Sequence, residues 1–218
     1  MKRFPSKFFR QRGTVVKPKK KWTKDTEKYN LHKRSRASLK AGIDLQEAVI
    51  LPPNEQLDDW LSVHVVDFYN RISLIYASVL RFCTEQSCPI MSGGSRFEYL
   101  WADNDQYKEP TSLPAPKYME LLLDWVDQKV NDETIFPQNT DVPFPNNFRD
   151  TIKVLFKRLH RVFVHVYIHH FREVREVGLE AHVNQCYKHF YYFIVEFQLV
   201  DNRELEPLKE MTRSLCRI

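Results

Sequence analysis

Residues 151–171 read Thr-Ile-Lys-Val-Leu-Phe-Lys-Arg-Leu-His-Arg-Val-Phe-Val-His-Val-Tyr-Ile-His-His-Phe. Leu155, Leu159, Val162, Phe163 and Val166 recur at helical intervals, the apolar stripe of a helix that faces a core. Lys153, Lys157 and Arg161 follow one another every fourth position on a stripe pointing away from it, with Arg158 beside them. The C-terminal end adds His165, His169 and His170. One helix therefore carries a core face, a cationic face and a group of imidazoles.

The surroundings of this helix read as helical too. The chain has 218 residues, of which 43% are hydrophobic and only 5 are Gly, enough apolar matter for one domain with a real core. Residues 1–24 hold ten Lys or Arg and no acid, leaving 23 basic against 28 acidic residues in 25–218. The expected organisation is a basic, flexible arm at 1–24 and a mildly acidic helical domain at 25–218. No apolar run reaches the ~18–20 residues that span a bilayer, and the N-terminus lacks the apolar core of a secretory signal. The expected location is the cytoplasm or the nucleus.

Helices are expected at 26–41, 44–49, 55–81 (capped by Asn54), 117–131, 179–197 and 203–215 (capped by Asp201), with Asn147 or Asp150 capping the organising helix. In 55–81, Trp60, Val63, Phe68, Ile72 and Ile75 are the candidate core, and Glu55, Asp58, Asp59 and Asp67 an exposed acidic strip. Phe97, Tyr99 and Trp101 alternate along 96–102, the one strand signal, and with Tyr107 to Glu109 suggest a small β-hairpin. The loop 132–147 is long, so its aromatics are expected to pack on the body.

Cys83 and Cys88 are separated by four residues at a helix end. In a reducing compartment, thiols in such a pair point to metal ligation before disulfides. With the imidazoles of the organising helix they make a Cys2His2 set, the closed tetrahedral donor set of structural Zn2+. Which His completes it is open. His165 and His169 lie about 40° apart around a helix and His165 and His170 about 140°, so helix geometry favours His169. Catalytic zinc is not indicated: Val166, not Glu, follows His165, and the His-x-Glu and Cys-x-x-Cys spacings of deaminases do not occur. Nor do a phosphate-binding Gly loop or a nucleophile elbow. No enzyme is expected.

The chain also resembles the Mob (Mps-one-binder, or phocein) family of kinase coactivators, its class III members above all. The resemblance covers roughly 26–215 and rests on Leu51-Pro52 before Asp59-Trp60, Cys83-Thr84-Glu85-Gln86-Ser87-Cys88-Pro89, Phe97-Glu98-Tyr99, Phe136-Pro137, Pro143-Phe144-Pro145, Arg161-Val162-Phe163-Val164-His165-Val166-Tyr167 and Tyr187-Lys188-His189-Phe190. It implies an all-α fold with a four-helix-bundle core, extra short helices and one structural zinc held by Cys83, Cys88, His165 and His170. It further implies a non-catalytic adaptor. Glu55, Asp59, Trp60 and Asp67 would dock regulatory helices of NDR/LATS-type kinases. Lys157, Arg158 and Arg161 would bind phosphorylated peptides, including those of sterile-20, Hippo-type kinases. His160 stands where Phe is more usual, and its charge would tune the adjacent anion site. Thr14 and Ser38 lie near positions that are phosphorylated in class I members. The alternative is a zinc-containing module that binds nucleic acid or another acidic surface through the basic arm, against which the net −5 of residues 25–218 argues.

Overall fold

A computed structural model describes residues 44–217, except 104 and 140. The basic arm at 1–24, the helix expected at 26–41, Thr14 and Ser38 lie outside the described residues.

The fold is all-α. Helix α1 spans Leu45–Val49, its first turn capped by the Asp44 carboxylate, which accepts from the Gln46 N–H at 2.8 Å. Pro52 and Pro53 then interrupt the helical run. Helix α2 spans Leu57–Val79 and starts after Gln56, not after Asn54. Asn54 has instead a left-handed backbone, φ 66°, which its short polar side chain tolerates better than most. Helix α3 is Ala115–Asn131, with Pro116 in its first turn where the missing N–H costs nothing. Helix α4, the organising element, is Phe148–His169. Short α5 (Phe171–Glu176) and longer α6 (Glu180–Glu196) follow.

The single helix expected at 203–215 is divided into α7 (Asn202–Leu205), a 3-10 turn (Glu206–Leu208) and α8 (Lys209–Cys216). Pro207 sits at the division and has no N–H to continue an α-helical ladder. Asp201 precedes α7, but its side chain makes no capping bond.

Helix α4 runs against α2, α3 packs on both, and α6 joins them while carrying α1 and α8 on its other sides. Leu155, Leu159, Val162, Phe163 and Val166 are all fully buried. So are Phe68 of α2, Phe156 of α4 and Phe190 of α6. Phe68 meets Phe190 edge-on at 5.2 Å and Phe156 at 5.9 Å. Each such ring contributes roughly 1.5–3 kcal/mol by leaving water. Phe136 of the long loop is also buried, and Phe144 stacks on Phe148 at 4.2 Å.

The β-hairpin is not confirmed among the described residues. Among the described residues there is no strand, only two isolated antiparallel bridges, Ser92–Glu98 and Trp101–Thr111. The alternation of 97, 99 and 101 is real, because Tyr99 and Trp101 are buried. Trp101, however, exchanges both backbone hydrogen bonds with Thr111 at 2.8 Å and not with residues 107–109, and the segment then departs before a ladder can extend. No described helix is long and apolar enough to cross a membrane.

Candidate metal centre and cationic site

The end of α2 begins the first site. Phe82 and Cys83 both donate to the Val79 carbonyl, at 2.9 and 3.1 Å, so the helix tightens and turns at Cys83. A Thr-x-x-Ser turn continues it. Cys88 N–H reaches the Thr84 carbonyl at 2.8 Å, Ser87 N–H the Thr84 Oγ1 at 3.1 Å, and Ser87 Oγ donates to the Phe82 carbonyl at 2.6 Å. Local hydroxyl bonds of this kind hold a tight non-helical turn, and this one brings both sulfurs to one side.

The imidazoles meet them there. Cys83 Sγ lies 3.4 Å from His165 Nε2, and Cys88 Sγ lies 3.4 Å from His170 Nε2. All four ligand atoms fall within 4.8 Å of one another, and all four residues are buried. Helix geometry favoured His169; the structure corrects this. Helix α4 ends at His169, and His170, at φ −132° and ψ 14°, leaves the helical conformation. That break removes the angular penalty against His170. His169 is exposed, with Nε2 3.1 Å from Ser92 Oγ.

The imidazoles of the donor set are in the state that ligation needs. Burial, with His169 and His170 nearby, pushes His165 down to about 3, and burial also lowers His170, so both rings are neutral with a lone pair to offer. His165 Nδ1 faces the Ser92 carbonyl at 3.4 Å, a placement that puts the proton on Nδ1 and leaves Nε2 for a metal. Burial and the Cys88 sulfur push the Cys83 thiol up to about 12, so without a cation beside it Cys83 stays protonated. One orphan supports the fit. The buried Tyr76 hydroxyl lies against Cys83, whose sulfur is within its reach, and finds no oxygen or nitrogen acceptor among the described residues. A protonated thiol accepts weakly; a metal-bound thiolate would accept well. The cluster can therefore hold a metal ion.

The second site lies two turns earlier on α4. Arg158 is sandwiched between Trp101 and Trp125, its guanidinium carbon 4.3 and 4.2 Å from the two ring centres. Its Nη2 donates to the Ala102 carbonyl at 2.6 Å. Its Nη1 is buried and has no hydrogen-bond partner among the described residues. Arg161 lies over the Tyr99 ring at 4.7 Å. Its Nε and Nη2 form a fork on Glu204, at 3.1 and 2.8 Å, and its Nη1 donates to Tyr118 Oη at 3.0 Å. Glu204 and Tyr118 outweigh burial and raise Arg161 above its ordinary value. Burial pushes the Glu204 carboxyl up, but the Arg161 fork, with Lys157 nearby, holds it below the usual carboxylate range. Lys157, one turn before Arg161, is half-buried.

Two of the cations on this face, Arg158 and Arg161, are thus held by neighbouring rings and oxygens. Lys157 is half-buried and Lys153 exposed. His160 does not lend a charge: it is fully buried, and burial pushes its imidazole down to about 4.

The residues read as an exposed acidic strip divide. Glu55, Asp58 and Asp59 are half-buried at the start of α2, where Asp58 accepts from Arg149 Nε at 2.7 Å. Trp60 and Asp67 are inside the body. Trp60 Nε1 donates to the Val49 carbonyl at 3.0 Å. Asp67, 6% exposed, pairs with Arg71, which also reaches His189 Nδ1 at 3.1 Å. Residues 60–68 are buried without interruption because α4 and α6 cover α2 from different sides. Glu204, Tyr118, Trp101 and Trp125 had no local signal as members of a cationic site: Glu204 is 43 positions from Arg161 in sequence.

Comparison with known proteins places these sites in context. The Mob1/phocein family model matches residues 36–208. The chain is 56% identical over 202 residues to MOB kinase activator 3A of Homo sapiens, covering 93% of each chain. It is 57% identical over 202 residues to human MOB kinase activator 3B, covering 93% of this chain and 94% of that one. To MOB kinase activator-like 3 of Drosophila melanogaster it is 56% identical over 209 residues, 96% of this chain and 95% of the other.

Proposed function

Because the chain belongs to the Mob1/phocein family, with class III MOB kinase activators among its relatives, we propose that it is a non-catalytic kinase adaptor that binds phosphorylated peptides. Lys157, Arg158 and Arg161 are the phosphate-binding residues in this reading. The observation that carries it is Arg158, a guanidinium fixed between two indoles with its buried Nη1 lacking an acceptor among the described residues. Buried charged donors without partners are costly and mark places where a ligand completes the hydrogen bonding. A phosphate offers the acceptor oxygens and the charge, and an arginine matches its geometry.

The metal in this reading is zinc. Two thiolates and two imidazoles, all buried, are its usual closed structural donor set, with no position left for a reacting water. When bound, it joins the end of α2 to the end of α4, two turns beyond the cationic site. Glu55, Asp58 and Asp59 supply the acidic approach for a basic kinase helix, and Trp60 and Asp67 support it from within. The partners are kinases of the sterile-20, Hippo type and of the NDR/LATS type, in the cytoplasm or nucleus.

Titration with a phosphothreonine peptide and its unphosphorylated twin tests the reading. The phosphopeptide is expected to bind selectively, and Lys157→Glu to abolish binding while leaving the thermal melt in place. Equal affinity of the two peptides refutes it.

A further inference from the structure

The cationic site contains an acid of its own. Glu204 takes up one whole edge of Arg161 through both carboxylate oxygens, 3.1 and 2.8 Å from Nε and Nη2. Tyr118 Oη takes a third N–H at 3.0 Å. A guanidinium has five N–H donors, so the bidentate edge that suits an incoming anion is already occupied. Lys157 and the neighbouring Arg161 both favour the ionised Glu204. The local charge offered to a ligand is accordingly smaller than three cations would suggest.

We infer that Glu204 is an internal competitor, released from Arg161 only by a dianionic phosphate, and that it makes the site reject acidic peptides that are not phosphorylated. The inference rests on the phosphopeptide reading above. A peptide carboxylate that displaced Glu204 would replace one singly charged, two-oxygen acceptor by another. It gains nothing in charge or in hydrogen bonds and loses the advantage of a group already tethered in place. A phosphate brings close to two charges and three acceptor oxygens. It can fill the Arg161 edge and reach Lys157 and Arg158 as well.

The carrier of Glu204 is suited to release. It sits on α7, four residues long and without a single buried member. Asn202 and Arg203 beside it are exposed, and Pro207 separates it from α8. Leu205 beside it packs against the core, so release is a rotation of the Glu204 side chain, 20% exposed, and not of the turn that carries it. The arginines, by contrast, are fixed by rings: Arg158 by Trp101 and Trp125, Arg161 by Tyr99. The cations stay and the acid yields. Specificity here comes from a penalty built against the wrong ligand.

The test uses the full chain and three peptides identical except for phosphothreonine, threonine or glutamate at one position. Wild type is expected to bind the phosphothreonine peptide alone. Glu204→Gln is expected to bind the glutamate peptide measurably and to lower the preference for phosphothreonine over glutamate about tenfold, the size of one charge-assisted hydrogen bond. Glu204→Asp keeps the charge but is one methylene short of the fork. It is expected to give an intermediate preference, and it carries the test alone if the Gln variant does not fold. An unchanged preference, or weaker phosphothreonine binding in both variants, overturns the inference and shows that Glu204 only positions Arg161. Failure of wild type to distinguish phosphothreonine from threonine refutes the phosphopeptide reading itself, whatever the variants do.

Discussion

Gly93→Ala probes how closely the loop after the cysteines is pressed onto α4. A Cβ at Gly93 would lie 2.7 Å from Val164 Cγ1 and 2.9 Å from Tyr99 Oη. Carbon atoms in good contact sit about 3.5–4.0 Å apart, so the loop or the helix must give by about 1 Å. Neither can do so easily. Val164 and Tyr99 are buried, and Gly93 N–H is tied to the Phe97 carbonyl at 2.7 Å. Overpacking of this kind costs about 1–3 kcal/mol. The strain falls between Ser92, whose carbonyl faces His165, and Val164, the residue before it. Gly93→Ala should therefore also speed loss of the metal to a chelator. Gly178→Ala is the contrast. Its φ is 73° and a Cβ there meets nothing within 4 Å, so only the left-handed backbone penalty applies, about 1–2 kcal/mol, and metal release should not change. Urea unfolding of metal-loaded protein measures the first quantity, and chelator-driven release the second. Adding Val164→Ala removes the clashing methyl, so Gly93→Ala should cost about 1 kcal/mol less in that background, a direct coupling. A Gly93→Ala variant within about 0.5 kcal/mol of wild type, or one with the same cost in both backgrounds, refutes the reasoning.

Two further perturbations separate the roles assigned above. Cys83→Ser should lower metal affinity and the melting temperature together. A metal at 100 times its Kd adds about 2.7 kcal/mol, and the gap between wild type and variant should shrink once a chelator strips both; an unchanged melt with the metal lost contradicts this. Asp67→Ala leaves the buried Arg71 without its carboxylate and should cost about 3–5 kcal/mol in chemical denaturation, so a near-neutral result would return Asp67 to the surface role its sequence position suggested.

Periodicity recovered the parts of this fold that depend on one element at a time. The stripe Leu155, Leu159, Val162, Phe163 and Val166 is buried as its spacing requires, because a helix places every third or fourth side chain on one face whatever lies opposite. The thiol pair and the imidazoles were likewise legible, as a donor set that could hold a metal ion. Spacing failed where a second element decided the outcome. Asp67 looked solvent-facing on an isolated helix, but α6 brings His189 and covers it. The 97–101 alternation looked like a hairpin, but Thr111 bonds Trp101 through a single bridge.

The sequence by itself determined the residue types and their faces: an apolar stripe, a run of cations, two thiols and three imidazoles, each set by short-range geometry. Only the tertiary structure decided which of them meet. The end of α4 at His169 turns His170, and not its neighbour, toward the sulfurs. The path of α7 sets Glu204 on Arg161, 43 positions away in the chain. Charge pairing and ligation depend on distances of a few ångströms between atoms far apart in the chain, and local propensity carries no record of those distances.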